Sequence, residues 1–281
     1  MSETVARGSV PITLRARRPA YSVMQACLRE QAAAPPLSRR ARFFGRDPLV
    51  ASARSWYQGA LGEIEVAHAL SQLGPEWTVF HSVPVGSGES DIDHVVVGPT
   101  GVFTINTKHH AGKKIWVGGG TFMVDGHRQQ HMRNSVHEAS RAARLLSLAA
   151  RTDIVVTPVI VVVGTASLRF GEKKAAIVAV VEANQLRRWL INMPRAHSPE
   201  ALAYLAMVAE ERGTWHTEAL VLTDTLRHEH RFERLRRDID ESARRRRRWR
   251  VGTALGVLGV SGGVAIAAVA TFTSTIVAFL G

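Results

Sequence analysis

Residues 90–110, SDIDHVVVGPTGVFTINTKHH, constrain the fold more tightly than any other stretch of the chain. Asp91 to Val97 is rich in β-branched residues, Gly98-Pro99-Thr100-Gly101 is turn chemistry, and Val102 to Lys108 alternates again. This pattern predicts a β-hairpin. Side chains alternate faces along a strand, so Asp91 and Asp93 share one face of the first strand, and Thr104, Asn106 and Lys108 share one face of the second. One sheet face could therefore gather two carboxylates, an amide and an ammonium, a set that a core does not recruit for packing.

The flanking sequence supplies elements that such a hairpin can pack against. Between Ser52 and Leu73, Ala60, Leu61, Ile64, Ala67 and Leu70 recur near helical spacing, and Gly74-Pro75 ends the run, which predicts an amphipathic helix. Glu63 and Glu65 lie inside it. Periodicity alone favours a solvated pair, although Glu63 is at the edge of the apolar stripe, close enough to reach a neighbouring strand. Trp77 to Pro84 reads as a strand before the hairpin, and Lys114 to Val117 and Thr121 to Asp125 as short strands after it. Asn134 to Ala150 reads as a second helix. Ile154 to Val163 is too short to span a membrane and is bounded by Asp153 and Gly164, as a buried strand would be. Ala175 to Val181 is a further strand candidate, with helices near Ala183 to Asn192 and Ser198 to Glu211. The order helix, three strands, helix, strand predicts a mixed α/β sheet covered on both faces.

Charge is concentrated at the ends. Residues 1–50 carry nine arginines against Glu3, Glu30 and Asp47, and residues 244–250 carry six more, which together account for the whole excess of +12. Basicity therefore does not identify the folded body as a nucleic-acid reader. Residues 1–50 lack a sustained period and read as a basic, mostly irregular arm, with a short helix at Tyr21 to Ala34 as the alternative. Cys27 is the only cysteine, so an intrachain disulfide and a cysteine zinc site are excluded and a reducing compartment is expected. No cleaved signal peptide is expected either, since Arg15, Arg17 and Arg18 interrupt the apolar residues near the start.

The division expected is an arm at 1–50, an α/β domain at 51–212, a charged helical linker at 213–250 and a transmembrane helix at 251–280. From Val251 to Leu280 there is no charged residue, and a helix of about twenty such residues crosses the hydrocarbon core of a bilayer. The arginines of RRRRRWR abut the N-terminal end of this stretch, which places the body on the cytoplasmic side of an inner membrane, single-pass, and attracts anionic lipid. Gly252, Gly256, Gly259 and Gly263 line one face of the span, which would let two copies approach closely as a homodimer.

An acidic residue on one strand, then an acidic residue, any residue and a lysine on the next, is the spacing by which two carboxylates hold a divalent cation beside an ammonium, as the hydrolysis of a phosphodiester needs. In that chemistry a divalent cation activates water and neutralises phosphate charge, and the lysine stabilises what develops. The candidates are Asp93, Asn106 and Lys108, with Glu63 arriving from the first helix. His127 and His131, four apart, read as polar surface rather than a zinc site, and His94 as a neighbour shaping the site by hydrogen bonding.

The runs GEIEVAHAL, SDIDHVVVGPTGVFTINTKHH and RNSVHEASRAARLL resemble the nuclease-related (NERD) domain, a bacterial relative of the PD-(D/E)xK nuclease fold, over roughly Tyr57 to Val163. The resemblance implies a restriction-endonuclease-like four-stranded mixed sheet flanked by helices, dependence on Mg²⁺ (or Mn²⁺), and DNA as the substrate. It carries over Glu63, Asp93 and Lys108 onto matching positions. It does not carry over the second carboxylate, because Asn106 stands where that pattern has Glu or Asp. An amide oxygen can ligate Mg²⁺ but contributes no charge. Asp91 is the reserve carboxylate if its side chain turns inward. Two readings follow: a membrane-anchored, metal-dependent nuclease, or a catalytically degenerate binding or scaffold module at the membrane.

Overall fold

The hairpin closes at Gly98 for a packing reason. A Cβ there would fall 2.0 Å from the ring of Trp77, so only glycine lets the indole lie across the turn. The turn is also tied down from outside, by the Thr100 hydroxyl donating to the Leu190 carbonyl at 3.0 Å.

The computed structural model describes residues 14–85, 91–171, 177–215, 226–251 and 253. In chain order these form α1 (Tyr21–Ala32), α2 (Arg39–Phe43), α3 (Arg54–Leu70), β1 (Thr78–Pro84), β2 (Asp91–Gly98), β3 (Gly101–His109), β4 (Lys114–Gly118), β5 (Thr121–Val124) and β6 (His127–Gln129). Then come α4 (His131–Ala150), β7 (Val156–Val163), β8 (Ser167–Phe170), β9 (Ala179–Glu182), α5 (Ala183–Ile191), α6 (Pro199–Glu210) and α7 (Arg212–Trp215). A last helix, α8, covers residues 226–251.

The central sheet has the order β1-β2-β3-β7-β9, with the first three strands antiparallel and the last two added in parallel. It has five strands where the resemblance implied four, because β9 extends the sheet beyond β7. Val66 and Leu70 of α3 and Leu186 of α5 pack with Phe103, Ile105, Val159 and Val161 on one face. Ala139, Ala142 and Leu146 of α4 and Leu202 and Leu205 of α6 pack with Val95, Val97 and Val102 on the other. A second mixed sheet, β6-β5-β4-β8, lays Ile115, Val117 and Phe122 against Ile160 and Val162. The architecture is a mixed α/β fold with two sheets flanked by helices.

Two segments differ from what composition implied. Within the arm read as mostly irregular, α1 buries Met24, Cys27 and Leu28 against Ala53, Tyr57 and Ala60. Its apolar stripe is confined to twelve residues and is obscured by neighbouring arginines. The charge-rich C-terminal helix is not simply solvated. Phe232, Leu235 and Ile239, spaced i, i+3, i+7, enter the same cluster, and the Tyr57 and Phe232 rings lie 5.5 Å apart.

Apart from Val251 and Thr253, the uncharged C-terminal stretch lies outside the described residues, and with it the face of Gly252, Gly256, Gly259 and Gly263. Among the described residues no helix is long and apolar enough to cross a membrane.

Candidate active site

The ladder between β2 and β3 runs from Gly98–Gly101 to His94–Ile105 and stops there, while β3 stays paired with β7 as far as His109–Val163. Beyond the last rung the two strands part. The Asp93 carboxylate fills the gap and accepts from the Thr107 backbone N–H at 2.6 Å. Asp93 keeps some accessible surface, yet protein surrounds it closely enough that burial lifts its carboxyl to about 7, against the opposing pull of Lys108 and the Thr107 amide.

Strict alternation fails at the same place. Ile92, Val95 and Val97 all join the cluster beneath α4, whereas Val96 joins that beneath α3. Residues 92 and 95 would face opposite ways on a regular strand. The irregularity faces Ser82 of β1, a non-glycine residue with φ +45°. Asp91 is turned toward the N-terminal segment, where its carboxylate accepts from the Ser22 hydroxyl. The single polar sheet face expected from periodicity is therefore divided, with Asp91 engaged by α1 rather than held in reserve beside Lys108.

Glu63 reaches the site because α3 approaches β3 very closely at Gly62. A Cβ on Gly62 would lie 3.1 Å from His109 Cβ and 3.2 Å from Thr107 Cγ2. Glu63 is buried while Glu65 is exposed, so the solvated pair favoured by periodicity does not occur. Burial raises the Glu63 carboxyl well above the usual range, and the charges of Asp93 and Asp91 push the same way; Lys108 and the Ala20 backbone amide oppose them.

Asn106 is buried, and its Nδ2 donates to both carboxylate oxygens of Glu138 on α4, at 2.9 and 2.8 Å. Glu138 also has a carboxyl raised by burial, with the Asn106 hydrogen bond and Lys108 acting in the opposite sense. Sequence reasoning missed Glu138. The signal that flagged Glu63 was present here too, since Glu138 stands one residue before Ala139 and four before Ala142 of the α4 stripe. Arg17 was also missed, and nothing local in the sequence marks it. It is 5% exposed, lies over the Tyr21 ring at 5.4 Å and acts electrostatically on Asp91.

The histidines frame the site. His94 is fully buried, and its Nδ1 lies 2.8 Å from Nδ1 of His81 in β1, so its hydrogen bond shapes the strand rather than the acidic group. Burial depresses both imidazoles, that of His81 to about 4. His110 and His131 stack with rings 5.5 Å apart, whereas His127 is exposed on β6, so His127 and His131 belong to different elements.

Glu63, Asp91, Asp93 and Glu138 thus stand against Lys108 and Arg17, an excess of buried acid over base. The Asn106 Oδ1 is buried with no hydrogen-bond partner. Hard oxygen donors, buried acids in excess of buried bases and an orphaned amide oxygen suit Mg²⁺ or Mn²⁺. Among the described residues no three His, Cys, Asp or Glu side chains converge at ligand spacing, so the protein would give one or two carboxylates and leave the other positions to water. No curated protein and no solved structure matches the chain. Residues 58–163 match the nuclease-related domain family, NERD, and the matched stretch runs from α3 to the end of β7, taking in Glu63, Asp93, Asn106, Lys108 and Glu138 together.

Proposed function

We propose that the chain is a membrane-tethered nuclease that hydrolyses the phosphodiester bonds of DNA with Mg²⁺ or Mn²⁺. The observation that carries this reading is that Asp93 of β2, Glu63 of α3 and Lys108 of β3 act on one another electrostatically where the hairpin strands part. A divalent cation held by Asp93, Glu63 and the Asn106 amide oxygen would neutralise phosphate charge and acidify a bound water. Lys108 Nζ is the donor available to the attacking water or to a non-bridging phosphate oxygen, and its attraction grows as negative charge accumulates there. Asn106 and the Thr107 amide hold Glu138 and Asp93 in fixed orientations, so little rearrangement is needed when substrate arrives.

The test is cleavage of duplex DNA, single-stranded DNA and RNA by the full chain in detergent, with Mg²⁺ or Mn²⁺. Asp93→Ala and Lys108→Ala should each lower the rate by roughly 10²-fold or more. Absence of metal-stimulated cleavage on all three substrates would overturn the proposal. Asn106 in place of a carboxylate favours the second reading, a binding module at the membrane. It requires salt-sensitive association without turnover, indifferent to Asp93→Ala.

The tether draws support from a feature at the foot of α8. Phe43 and Phe44 at the end of α2 meet Trp249, each pair of ring centroids 5.2 or 5.3 Å apart, and Trp249 Nε1 donates to the Phe43 carbonyl at 3.1 Å. The three rings are 59%, 46% and 40% exposed, arginines surround them, and the uncharged stretch begins two residues later. Exposed aromatic rings among arginines suit the headgroup layer of an anionic bilayer. On this reading Val251 to Leu280 spans an inner membrane, the body is cytoplasmic, and two spans pair through Gly252, Gly256, Gly259 and Gly263.

A further inference from the structure

Within the nuclease reading, Asn106 brings an amide where a second carboxylate would hold the cation. Its side chain is 6% exposed and makes both of its observed hydrogen bonds, at 2.9 and 2.8 Å, to one partner, Glu138 of α4. One amide nitrogen thus spans both oxygens of a carboxylate, which fixes that carboxylate beside β3. The other atom of the same amide, Oδ1, is buried and unpartnered. An unsatisfied buried oxygen costs about 1–3 kcal/mol unless something coordinates it.

Glu138 has a second environment. It lines a cavity of about 480 Å³ with Arg133, His137 and Arg141, all on α4. Positions 133, 137 and 141 recur every four residues and therefore form a row along one helix face. Among the described residues neither Arg133 nor Arg141 has an ion-pair partner. Two guanidiniums eight residues apart on one helix face, neither in an ion pair, are not accounted for by the helix's own side-chain pairing. The row suits a polyanion lying across it, with the acid directed at whatever the polyanion brings to the end of β3.

We propose that Glu138 supplies from α4 the metal-binding carboxylate that Asn106 lacks on β3, acting with Asp93 in place of Glu63 so that two carboxylates and the Asn106 amide oxygen face the cation, and that the Arg133, His137 and Arg141 row seats the phosphate chain entering the site. Asn106 acts as the link between them: its nitrogen orients Glu138 and its oxygen is a neutral donor to the same cation. The charge of the site is conserved, although its source has moved from a strand to a helix.

This predicts that the two positions can exchange chemistry across their hydrogen bond. In the full chain, Mn²⁺ binding in the absence of nucleic acid is measured by calorimetry or by loss of the free-ion resonance, alongside cleavage and thermal melting. Glu138→Gln should weaken Mn²⁺ binding by about 10–100-fold and abolish cleavage without lowering the melting temperature. The double variant Asn106→Glu/Glu138→Gln returns the carboxylate to β3 with an amide opposite, and should recover both to within several-fold. Unchanged Mn²⁺ affinity in Glu138→Gln, or no recovery in a folded double variant, overturns the proposal. A folded wild-type chain that binds no Mn²⁺ overturns it as well. Mn²⁺ binding that depends on Glu138 without cleavage of any nucleic acid upholds the carboxylate and removes the nuclease reading on which it was built. For the helix row, Arg133→Gln/Arg141→Gln should weaken a labelled DNA duplex held in Ca²⁺ by about tenfold or more and reduce the salt dependence of binding; unchanged duplex affinity overturns that half.

Discussion

Asp93→Asn is expected to make the metal-free protein more stable while removing the proposed metal-dependent cleavage. Burial lifts the Asp93 carboxyl from its ordinary 3.8 to about 7, which corresponds to about 4 kcal/mol acting against the ionised folded form. Asparagine has the same shape, carries no charge, and its Oδ1 can still accept from the Thr107 N–H. The opposing pull of Lys108 and of the Thr107 N–H is already contained in that balance, so the variant should gain up to about 4 kcal/mol above pH 8. Since the folded-state carboxyl binds its proton more tightly than the unfolded one, wild-type stability falls as pH rises from about 4 through about 7. The variant lacks that slope, so the two should converge near pH 4 and separate across this window. Urea denaturation followed by tryptophan fluorescence, with the full chain in detergent and chelator from pH 4 to 8.5, measures the difference. Mg²⁺ should narrow it by stabilising the wild type alone. A variant no more stable than wild type at pH 8, or a difference independent of pH, would refute the view that Asp93 is a desolvated, under-compensated charge.

Two further outcomes follow from the packing of the ends. Phe232→Ala removes a fully buried ring from the seam joining α8 to α1 and α3, and should cost about 3–5 kcal/mol, read as early protease cleavage within residues 226–251 ahead of the α/β body. Replacing Phe43, Phe44 and Trp249 together by serine should reduce protection of the Arg245 region when the chain is reconstituted in vesicles containing anionic lipid, without altering cleavage in detergent. Unaltered protection would assign those rings to the protein alone, and equal protection by added DNA in place of lipid would reassign the face to nucleic acid.

The hairpin and its covering helices were legible in the sequence because both depend on short-range pattern. Valine-rich alternation on either side of Gly98-Pro99-Thr100-Gly101 admits little else, and the stripes of α3 and α4 repeat long enough to be read. Asp93 and Lys108 could be named as candidates from strand position, and the matched family stretch includes both. The sequence offered α1 only as the alternative to an irregular arm and α8 as a charged, solvated helix, and their packing against one another was not legible. In α8 the apolar residues are few among arginines, and α1 is a single short stripe beside a basic segment; they bury each other at a separation of about two hundred positions, a distance over which local periodicity carries no information.

What the sequence determined by itself was which residues could lie on strands, where the chain turns, and that a carboxylate and a lysine would approach one another across a hairpin. What only the tertiary structure decided was the composition of the charged group around them. It parted β2 from β3 so that Asp93 takes the Thr107 amide, brought Glu63 in over Gly62, turned Asp91 to Ser22, and set Glu138 against Asn106. Each of these depends on how closely a helix approaches a strand. That distance is set by packing across the whole sheet, whereas periodicity records only which way a side chain points.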